Sequence, residues 1–397
     1  MSNTQKKNMP ELRFPGFEGE YSLDIFGNLA TNKSDKFNPQ NENESIDIEL
    51  DCIEQNTGRL IKIYNSKEFS SQKNKFNPQN VLYGKLRPYL NKYYFTKKSG
   101  VCSSEIWVLK SMKEDKLLNL FLYYFIQTKR YSDVASKSAG SKMPRADWGL
   151  IENIRVYFPE LCEQQKIGQF FSKLDRQIEL EEQKLELLQQ QKKGYMQKIF
   201  SQELRFKDEE CNYYKGWNKK QLKDVLEFSN KRTINENEYP VLTSSRQGLI
   251  LQSDYYKDRK TFAESNIGYF ILPKNHITYR SRSDDGIFKF NLNQMIDVGI
   301  ISKYYPVFKG IDANQYYLTL HLNYQLKKEY IKYATGTSQL VLSQKNLQNI
   351  KTKLPSYEEQ QKIGDFFSKI DRLVEKQSSK VGRLKVRKKG LLQNMFV

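Results

Sequence analysis

A repeated segment constrains this 397-residue chain more than any other feature. Residues 163–176 read EQQKIGQFFSKLDR and residues 359–372 read EQQKIGDFFSKIDR, so twelve of fourteen positions are identical at an offset of 196 residues. Further pairs align at the same offset: Pro159 with Pro355, Gly140 with Gly336, Tyr83 with Tyr279, and Lys192-Lys193-Gly194 with Lys388-Lys389-Gly390. A repeat of about half the chain indicates two copies of one module.

Each copy consists of a globular stretch and a following segment of different character. The globular stretches resemble each other weakly, whereas the segments after Pro159 and Pro355 are closely similar. A shorter echo, Glu11–Phe14 against Glu203–Phe206, has an offset of 192. We therefore expect an N-terminal segment at 1–19, globular domains at 20–158 and 203–354, and helical connectors at 159–202 and 355–397.

The connectors carry an apolar heptad pattern that is typical of paired long helices. The apolar positions follow alternating steps of three and four residues: Phe171, Leu174, Ile178, Leu185, Leu188, Tyr195 and Ile199, then Phe367, Ile370, Val374, Val381, Leu384, Leu391 and Met395. A proline followed by a Glu-rich turn favours a helix start. About 40 residues at about 1.5 Å each give a helix of roughly 60 Å. The alternative is an ordinary amphipathic helix on its own domain.

Four polar residues interrupt this heptad pattern: Glu181 and Lys192 in the first copy, Gln377 and Lys388 in the second. If the helices pair antiparallel about a pseudo-two-fold axis, the numbers of facing residues sum to a constant. Glu181 with Lys388 and Lys192 with Gln377 both sum to 569. Polar layers of this kind fix coiled-coil register at some cost in stability, so we expect these four residues to set it.

The globular stretches are predicted to be mixed, with strands dominant. Short β-branched or aromatic runs predict strands at Ile46–Ile53, Leu60–Ile63, Val81–Leu86, Tyr93–Phe95 and Ile106–Leu109, and at Val241–Thr243, Gly268–Leu272, Ile277–Arg280, Ile287–Phe290 and Tyr304–Phe308. Longer runs at Lys116–Thr128 and Tyr316–Tyr333 predict one helix in each stretch. The expected fold class is α+β, with two mixed α/β domains separated and joined by two long antiparallel coiled-coil helices in pseudo-two-fold symmetry.

The charge of the chain favours a polyanionic partner. It has 65 Lys and Arg against 46 Asp and Glu, a formal charge of +19, which points to a nucleic acid first and an acidic membrane surface second. Phosphates need cations, and base edges favour Arg and Ser. The candidate DNA-binding residues are Lys85, Arg87, Ser141, Lys142, Arg145, Arg246, Arg280, Arg282 and Lys289. A solvated basic surface is the alternative, as it is for the Lys- and Arg-rich stretch 376–389.

Catalytic motifs are absent from the sequence. It has no P-loop, no Asn-Pro-Pro-aromatic tetrapeptide and no glycine fingerprint for a dinucleotide or methyl donor. The four cysteines are widely spaced, which is typical of reduced thiols. Together with the two histidines they do not form a metal-binding pattern. No apolar run is long enough to span a membrane. We therefore expect a cytoplasmic protein without a catalytic site, metal or cofactor.

Two segments, Pro159–Arg176 and Pro355–Arg372, each open a long helix after a divergent domain. In this they resemble the DNA-specificity subunits of Type I restriction–modification systems. The loops at Gly140-Ser141 and Gly336-Thr337 and the segment Leu82–Tyr89 fit the same family, and the resemblance covers nearly the whole chain. The second copy departs from the Leu82–Tyr89 pattern, with Thr278–Arg282 in its place.

The resemblance implies a targeting subunit rather than an enzyme. Each globular domain would be a target recognition domain that reads one half of a split double-stranded DNA site. The helices would set the gap between half-sites and dock two modification (methyltransferase) subunits, and ATP-dependent restriction subunits would join them. Two other classes remain open here: a stand-alone DNA-binding regulator, and a coiled-coil scaffold that would leave the positive charge unexplained.

Overall fold

The computed structural model describes residues 8–137, 143–256 and 265–397. Contacts divide the chain into two compact units. Unit 1 comprises residues 1–184 and 377–397, and unit 2 comprises residues 185–376. The predicted residues Ser141 and Lys142 and the loop at Gly140 lie outside the described residues.

Over its described residues, unit 1 is a mixed α/β structure in which eleven strands form three sheets. The strands are β1 Ser22–Ile25, β2 Ala30–Thr31, β3 Lys36–Phe37, β4 Ile46–Ile48, β5 Tyr64–Asn65, β6 Lys73–Phe76, β7 Val81–Gly84, β8 Tyr93–Phe95, β9 Gly100–Cys102, β10 Ile106–Ser111 and β11 Arg155–Phe158. Their sheet orders are β1-β11, β2-β10-β7-β8 and β3-β6-β9-β4-β5. The helices are α1 Phe26–Leu29, α2 Asn119–Phe125, α3 Lys129–Ala135, α4 Trp148–Ile151 and the start of α5 Leu161–Phe200.

Unit 2 repeats this plan with different details. Its strands are β12 Asn218–Gln221, β13 Leu226–Ser229, β14 Val241–Ser245, β15 Gly248–Leu251, β16 Phe270–Pro273, β17 Ile277–Tyr279, β18 Arg282–Ser283, β19 Phe290–Leu292, β20 Val298–Ile301, β21 Val307–Gly310, β22 Leu340–Val341 and β23 Lys351–Leu354. The sheet orders are β12-β23, β13-β21-β17-β19, β15-β14-β20-β16 and β18-β22. Its helices are α6 Gln252–Tyr256, α7 Gln315–Tyr324, α8 Tyr330–Tyr333, α9 Gln344–Gln348 and the start of α10 Tyr357–Met395.

The predicted long helices and mixed domains are confirmed, and several local predictions are wrong. The runs Ile287–Phe290 and Tyr304–Phe308 become strands only at Phe290 and Val307, where β19 and β21 begin. The run Leu60–Ile63 forms a single bridge at Leu60 rather than a strand, because Ile61 and Ile63 point into solvent. The helix predicted at Tyr316–Tyr333 breaks into α7 and α8. The pairing of the first and last strands of each domain is repeated: Ser22 faces Phe158 in unit 1 and Asn218 faces Leu354 in unit 2, so both partners shift by the offset of the repeated segment.

The conspicuous Glu-Gln pair of the repeated segment anchors each long helix to its own domain. Arg13 holds the buried Glu163 through two hydrogen bonds of 2.7 and 2.8 Å, and Arg205 holds the buried Glu359 in the same way at 2.8 and 3.2 Å. The buried Gln164 amide donates to the Lys116 and Pro159 carbonyls, and its oxygen accepts from the Leu118 N–H. Its counterpart Gln360 donates to Pro355 and accepts from the Asn314 N–H.

Within each unit the two helical segments run antiparallel, as predicted, but the predicted register is wrong. Lys388 pairs with Asp175 at 2.7 Å, and Lys192 pairs with Asp371. Both pairs sum to 563 instead of 569. Glu181 meets Gln377 at 2.6 Å and Lys380 at 2.5 Å.

The physical reason for this register is the surroundings of the two aspartates. Asp175 also accepts a hydrogen bond from the buried Tyr124 hydroxyl at 3.1 Å, and Asp371 accepts one from Tyr316. In each unit a tyrosine hydroxyl already donates to the aspartate, and the lysine (Lys388 or Lys192) adds the positive charge that this carboxylate needs. In the predicted register Lys192 would instead have faced the neutral Gln377, without a counter-charge.

Candidate nucleic-acid interface

An antiparallel bridge at the end of a buried strand brings most of the predicted basic residues together in each unit. In unit 1 Leu86 faces Arg145 just after β7, and in unit 2 Arg282 faces Val341 just after β17. These pairs are equivalent, because both members shift by the offset of the repeated segment. The flanking hydrogen bond is equivalent too: Ala146 donates to the Lys85 carbonyl at 2.8 Å, and Leu342 donates to the Ser281 carbonyl at 2.9 Å.

In unit 1 this bridge presents three of the predicted residues. Arg145 is about half exposed and forms a bidentate pair with Glu105, with hydrogen bonds of 2.9 and 3.1 Å. These bonds hold the pKa of the Glu105 carboxyl below its usual range. The backbone of Lys85 donates to the Glu105 carbonyl at 3.0 Å, and the exposed Arg87 donates through its backbone to Pro144 at 2.7 Å.

Arg87 adopts a left-handed backbone conformation with φ of 52°. Such a conformation is uncommon for a residue other than glycine. It ends the extended path of β7 and starts the short turn Pro88–Leu90, which carries a half-exposed Tyr89. Arg87 and Tyr89 therefore lie on an exposed turn beside the bridge that contains Arg145.

In unit 2 the bridge carries its arginine on the opposite strand. The Arg282 guanidinium stacks on the Tyr304 ring at 5.1 Å, and the Lys303 ammonium lies 5.7 Å from the same ring. Tyr304 is 51% exposed, and Arg280 is also exposed. A cavity of about 260 Å³ adjoins this group and is lined by Asn230, Ser281, Lys303, Tyr304, Ser343 and Gln344, among others.

Arg246 joins this part of unit 2 through an ion pair. Both carboxylate oxygens of Asp285 accept from Arg246 at 2.7 Å, which lowers the pKa of Asp285 to about 2. Asp285 also accepts from the Ser283 hydroxyl and the Ile287 N–H. The acidic turn therefore fastens Arg246 to the hairpin that begins at Arg282.

Lys289 lies in a different environment from these arginines. Burial, and secondarily Lys192, lower its pKa, and its other charged neighbours are Asp371 and Lys327. Lys192 and Asp371 form an ion pair between the helical segments of unit 2. A half-buried lysine beside that pair is poorly placed to meet DNA, so we leave Lys289 out of the interface.

Glu105 and Tyr304 were not identified from the sequence. The strand pairing relates them, because Val81 faces Leu109 in unit 1 and Ile277 faces Phe308 in unit 2. Glu105 lies four positions before Leu109, and Tyr304 lies four positions before Phe308. The two residues are therefore equivalent at an offset of 199 residues, larger than the 196 of the repeated segment. An alignment that applies one uniform offset to the whole chain hides this equivalence.

The part of the chain that the structure describes has no group of three or more His, Cys, Asp or Glu side chains able to hold a metal ion. Across the same residues, no helix is both long and apolar enough for a membrane span.

A repeated mixed domain with an exposed basic bridge, anchored to long paired helices, is the architecture of a DNA-specificity protein. The family model for the Type I restriction modification DNA specificity domain matches residues 19–190 and 214–382. The chain therefore belongs to the family of Type I restriction–modification specificity subunits and carries two copies of its DNA-specificity domain. A stand-alone regulator and a nucleic-acid-free scaffold are not favoured.

Among individual proteins, the chain is 26% identical over 318 residues to the Type I restriction enzyme MjaVIII specificity subunit of Methanocaldococcus jannaschii, covering 75% of this chain and 74% of that protein. Its fold resembles the crystal structure of a Type I restriction–modification S subunit from M. genitalium, with a TM-score of 0.60, 15% identity, and 98% and 99% of the chains covered. A chain from a solved type I R–M system gives a TM-score of 0.53 at 16% identity, covering 94% and 96%.

Proposed function

We propose that this chain selects the DNA sites at which partner subunits act and has no catalytic site of its own. Each recognition domain, 20–158 and 203–354, reads one half of a bipartite double-stranded site. The observation that carries this proposal is the equivalent bridge in the two units, with an exposed arginine beside it in each. Arginine is the side chain that most often makes base-specific contacts in the major groove.

The helical connectors, 159–202 and 355–397, set the distance between the half-sites and dock the modification subunits, with restriction subunits joining that assembly. The charged residues of α10 support these two roles, because some of them pair with α5 and others are exposed. Lys380, Lys385 and Lys388 form ion pairs with α5 within unit 1. Arg383 and Arg387 are exposed instead, and they leave a cationic surface for an acidic protein surface or DNA backbone.

Mapping of methylated adenines in the genome tests the proposal. Deletion of the coding sequence should remove one bipartite adenine-methylation motif, and expression of the intact chain from a plasmid should restore it. The control is a plasmid chain that lacks residues 20–158, which should leave the motif absent. A methylome that does not change on deletion would contradict the proposed function.

A further inference from the structure

The two arginines at the equivalent bridges are held by chemically different partners at one equivalent position. Strand pairing places Glu105 of unit 1 and Tyr304 of unit 2 at that position. A second observation agrees, because the carbonyls of both residues accept a hydrogen bond from equivalent residues. Lys85 donates to Glu105 through its backbone at 3.0 Å, and Ser281 donates to Tyr304 through its hydroxyl at 2.9 Å.

These partners leave the guanidinium groups with different hydrogen-bonding capacity. The Arg282 guanidinium lies over the Tyr304 ring, 5.1 Å from its centroid, and this cation–π contact is not a hydrogen bond to an oxygen or nitrogen acceptor. Glu105 instead accepts from Nε and Nη2 of Arg145, so a partly exposed carboxylate lies beside this guanidinium. Among the described residues, the guanidinium in unit 2 therefore has an aromatic ring as its partner, whereas the guanidinium in unit 1 has a carboxylate that can itself accept a hydrogen bond.

Base edges in the major groove distinguish these two arrangements. Guanine offers two acceptors, N7 and O6, which match the fork of an arginine that has only donors to present. Adenine and cytosine each offer an exocyclic amino group, which a carboxylate accepts. The base preference of each bridge therefore depends on the partner residue as well as on its arginine.

We propose that Glu105 and Tyr304 are specificity-determining residues that set what Arg145 and Arg282 read. This inference rests on the proposed function. Arg282 on Tyr304 reads a guanine in one half-site. Arg145 with Glu105 reads a base with an exocyclic amino group in the other half-site.

The first test replaces Arg282 by lysine in the full chain, co-expressed with its modification subunits. Lysine keeps the charge for phosphates but loses the planar fork. We expect the methylation motif to become degenerate at one guanine of one half-site. In vitro, discrimination at that base pair should fall by about 5- to 150-fold, measured as the ratio of methylation rates on two duplexes that differ there.

The matched control is Arg130→Lys, in unit 1. Arg130 is exposed and lies over the Tyr157 ring at 5.0 Å, so the same change is made to the same type of contact at a residue outside both bridges. The motif should keep all its positions in this variant. Equal loss of discrimination in R130K and R282K would overturn the inference.

A second test replaces the partner and not the arginine. Tyr304→Glu gives unit 2 the arrangement of unit 1, so the same motif position should change from guanine to adenine or cytosine. The inference is overturned if Y304E and R282K both retain the wild-type motif, or if both lose methylation without any change of motif. If the motif disappears on deletion but survives in both variants, the inference fails and the proposed function stands. If it survives deletion, the proposed function fails.

Discussion

At the scale of residues, the repeated Glu-Gln pair has the role of a joint between helix and domain. Gln164 is completely buried and satisfies three backbone groups that have left regular secondary structure. Leaving a buried polar group without a partner costs about 1–3 kcal/mol. This explains why the two copies share these residues although their globular domains differ.

Substitution of Gln164 by alanine should lower the free energy of unfolding by about 3 kcal/mol or more, because three backbone groups lose their partner. Gln165→Ala is the control, since this neighbour on the same helix turn is exposed and its loss should change stability by less than about 0.5 kcal/mol. Urea unfolding of the full chain measures both. Equal losses in the two variants would show that Gln164 is not a joint.

The buried His321 should make unit 2 sensitive to acid. Burial lowers its pKa to about 3, and its Nε2 lies 2.7 Å from the Thr352 hydroxyl. The unfolded chain takes up a proton below about pH 6.5, so stability is complete above that pH and falls as the pH decreases towards 3. The loss should reach about 2 kcal/mol at pH 5.

Urea unfolding at pH 7 and pH 5 measures this dependence. His321→Gln cannot titrate, so the difference between the two pH values should be smaller by about 2 kcal/mol than in the wild type. An identical difference in both proteins would mean that His321 is protonated in the folded state.

At the scale of elements, ion pairs rather than apolar layers alone set the alignment of the helical segments. Asp175 with Lys388 and Lys192 with Asp371 recur at the same offset, and each aspartate also accepts from a tyrosine of the neighbouring domain. The same carboxylate therefore aligns the helices with each other and with their domain. A heptad pattern cannot reveal this, because Asp175 and Asp371 lie outside it.

A double-mutant cycle on Asp175 and Lys388 should give a coupling energy of about 1–2 kcal/mol. The side chains are only 25% and 11% exposed, which limits screening by water. The comparison pair is Arg176 and Glu179 on one face of α5, at 60% and 31% exposure, with an expected coupling of about 0.3–0.5 kcal/mol. Thermal unfolding of the single and double alanine variants measures both, and a smaller coupling for the first pair would contradict this account.

At the scale of the whole molecule, we expect each domain to be exchangeable without its partner. The strands β1 and β11 pair with each other, so an exchange of residues 20–158 brings both from the same source and leaves Arg13 and Glu163 in place. With the domain of a relative of different specificity, one half-site should change and the other should remain. Methylome sequencing reads the result, and a change in both half-sites would contradict independent reading.

The helices should control the spacing separately from the bases. Removal of one heptad from each, residues 183–189 and 379–385, shortens them by roughly 10 Å. At about 3.4 Å per base pair, the gap should shrink by about three base pairs while both half-sites keep their sequence. A motif with an unchanged gap would show that the helices do not determine it.

The sequence predicted the large features of this molecule and missed those that depend on offsets between its halves. The heptad pattern in both copies predicted the antiparallel helices, because apolar spacing is a local signal. The sequence did not reveal the equivalence of Glu105 and Tyr304, because the two halves contain different numbers of residues between the paired strands. Leu60–Ile63 failed for another reason: a β-branched run predicts a strand only when a partner strand buries it.

The order in the chain of the segments that form each unit has a consequence for folding during synthesis on the ribosome. The core of unit 1 includes Leu392, Met395 and Phe396, whereas unit 2 is one continuous segment, 185–376. The first recognition domain leaves the ribosome early but lacks part of its core until the second has been translated. Domains generally fold as they emerge, so here unit 2, translated later, can complete its core first, and a message truncated after residue 376 would yield unit 1 without its closing helix.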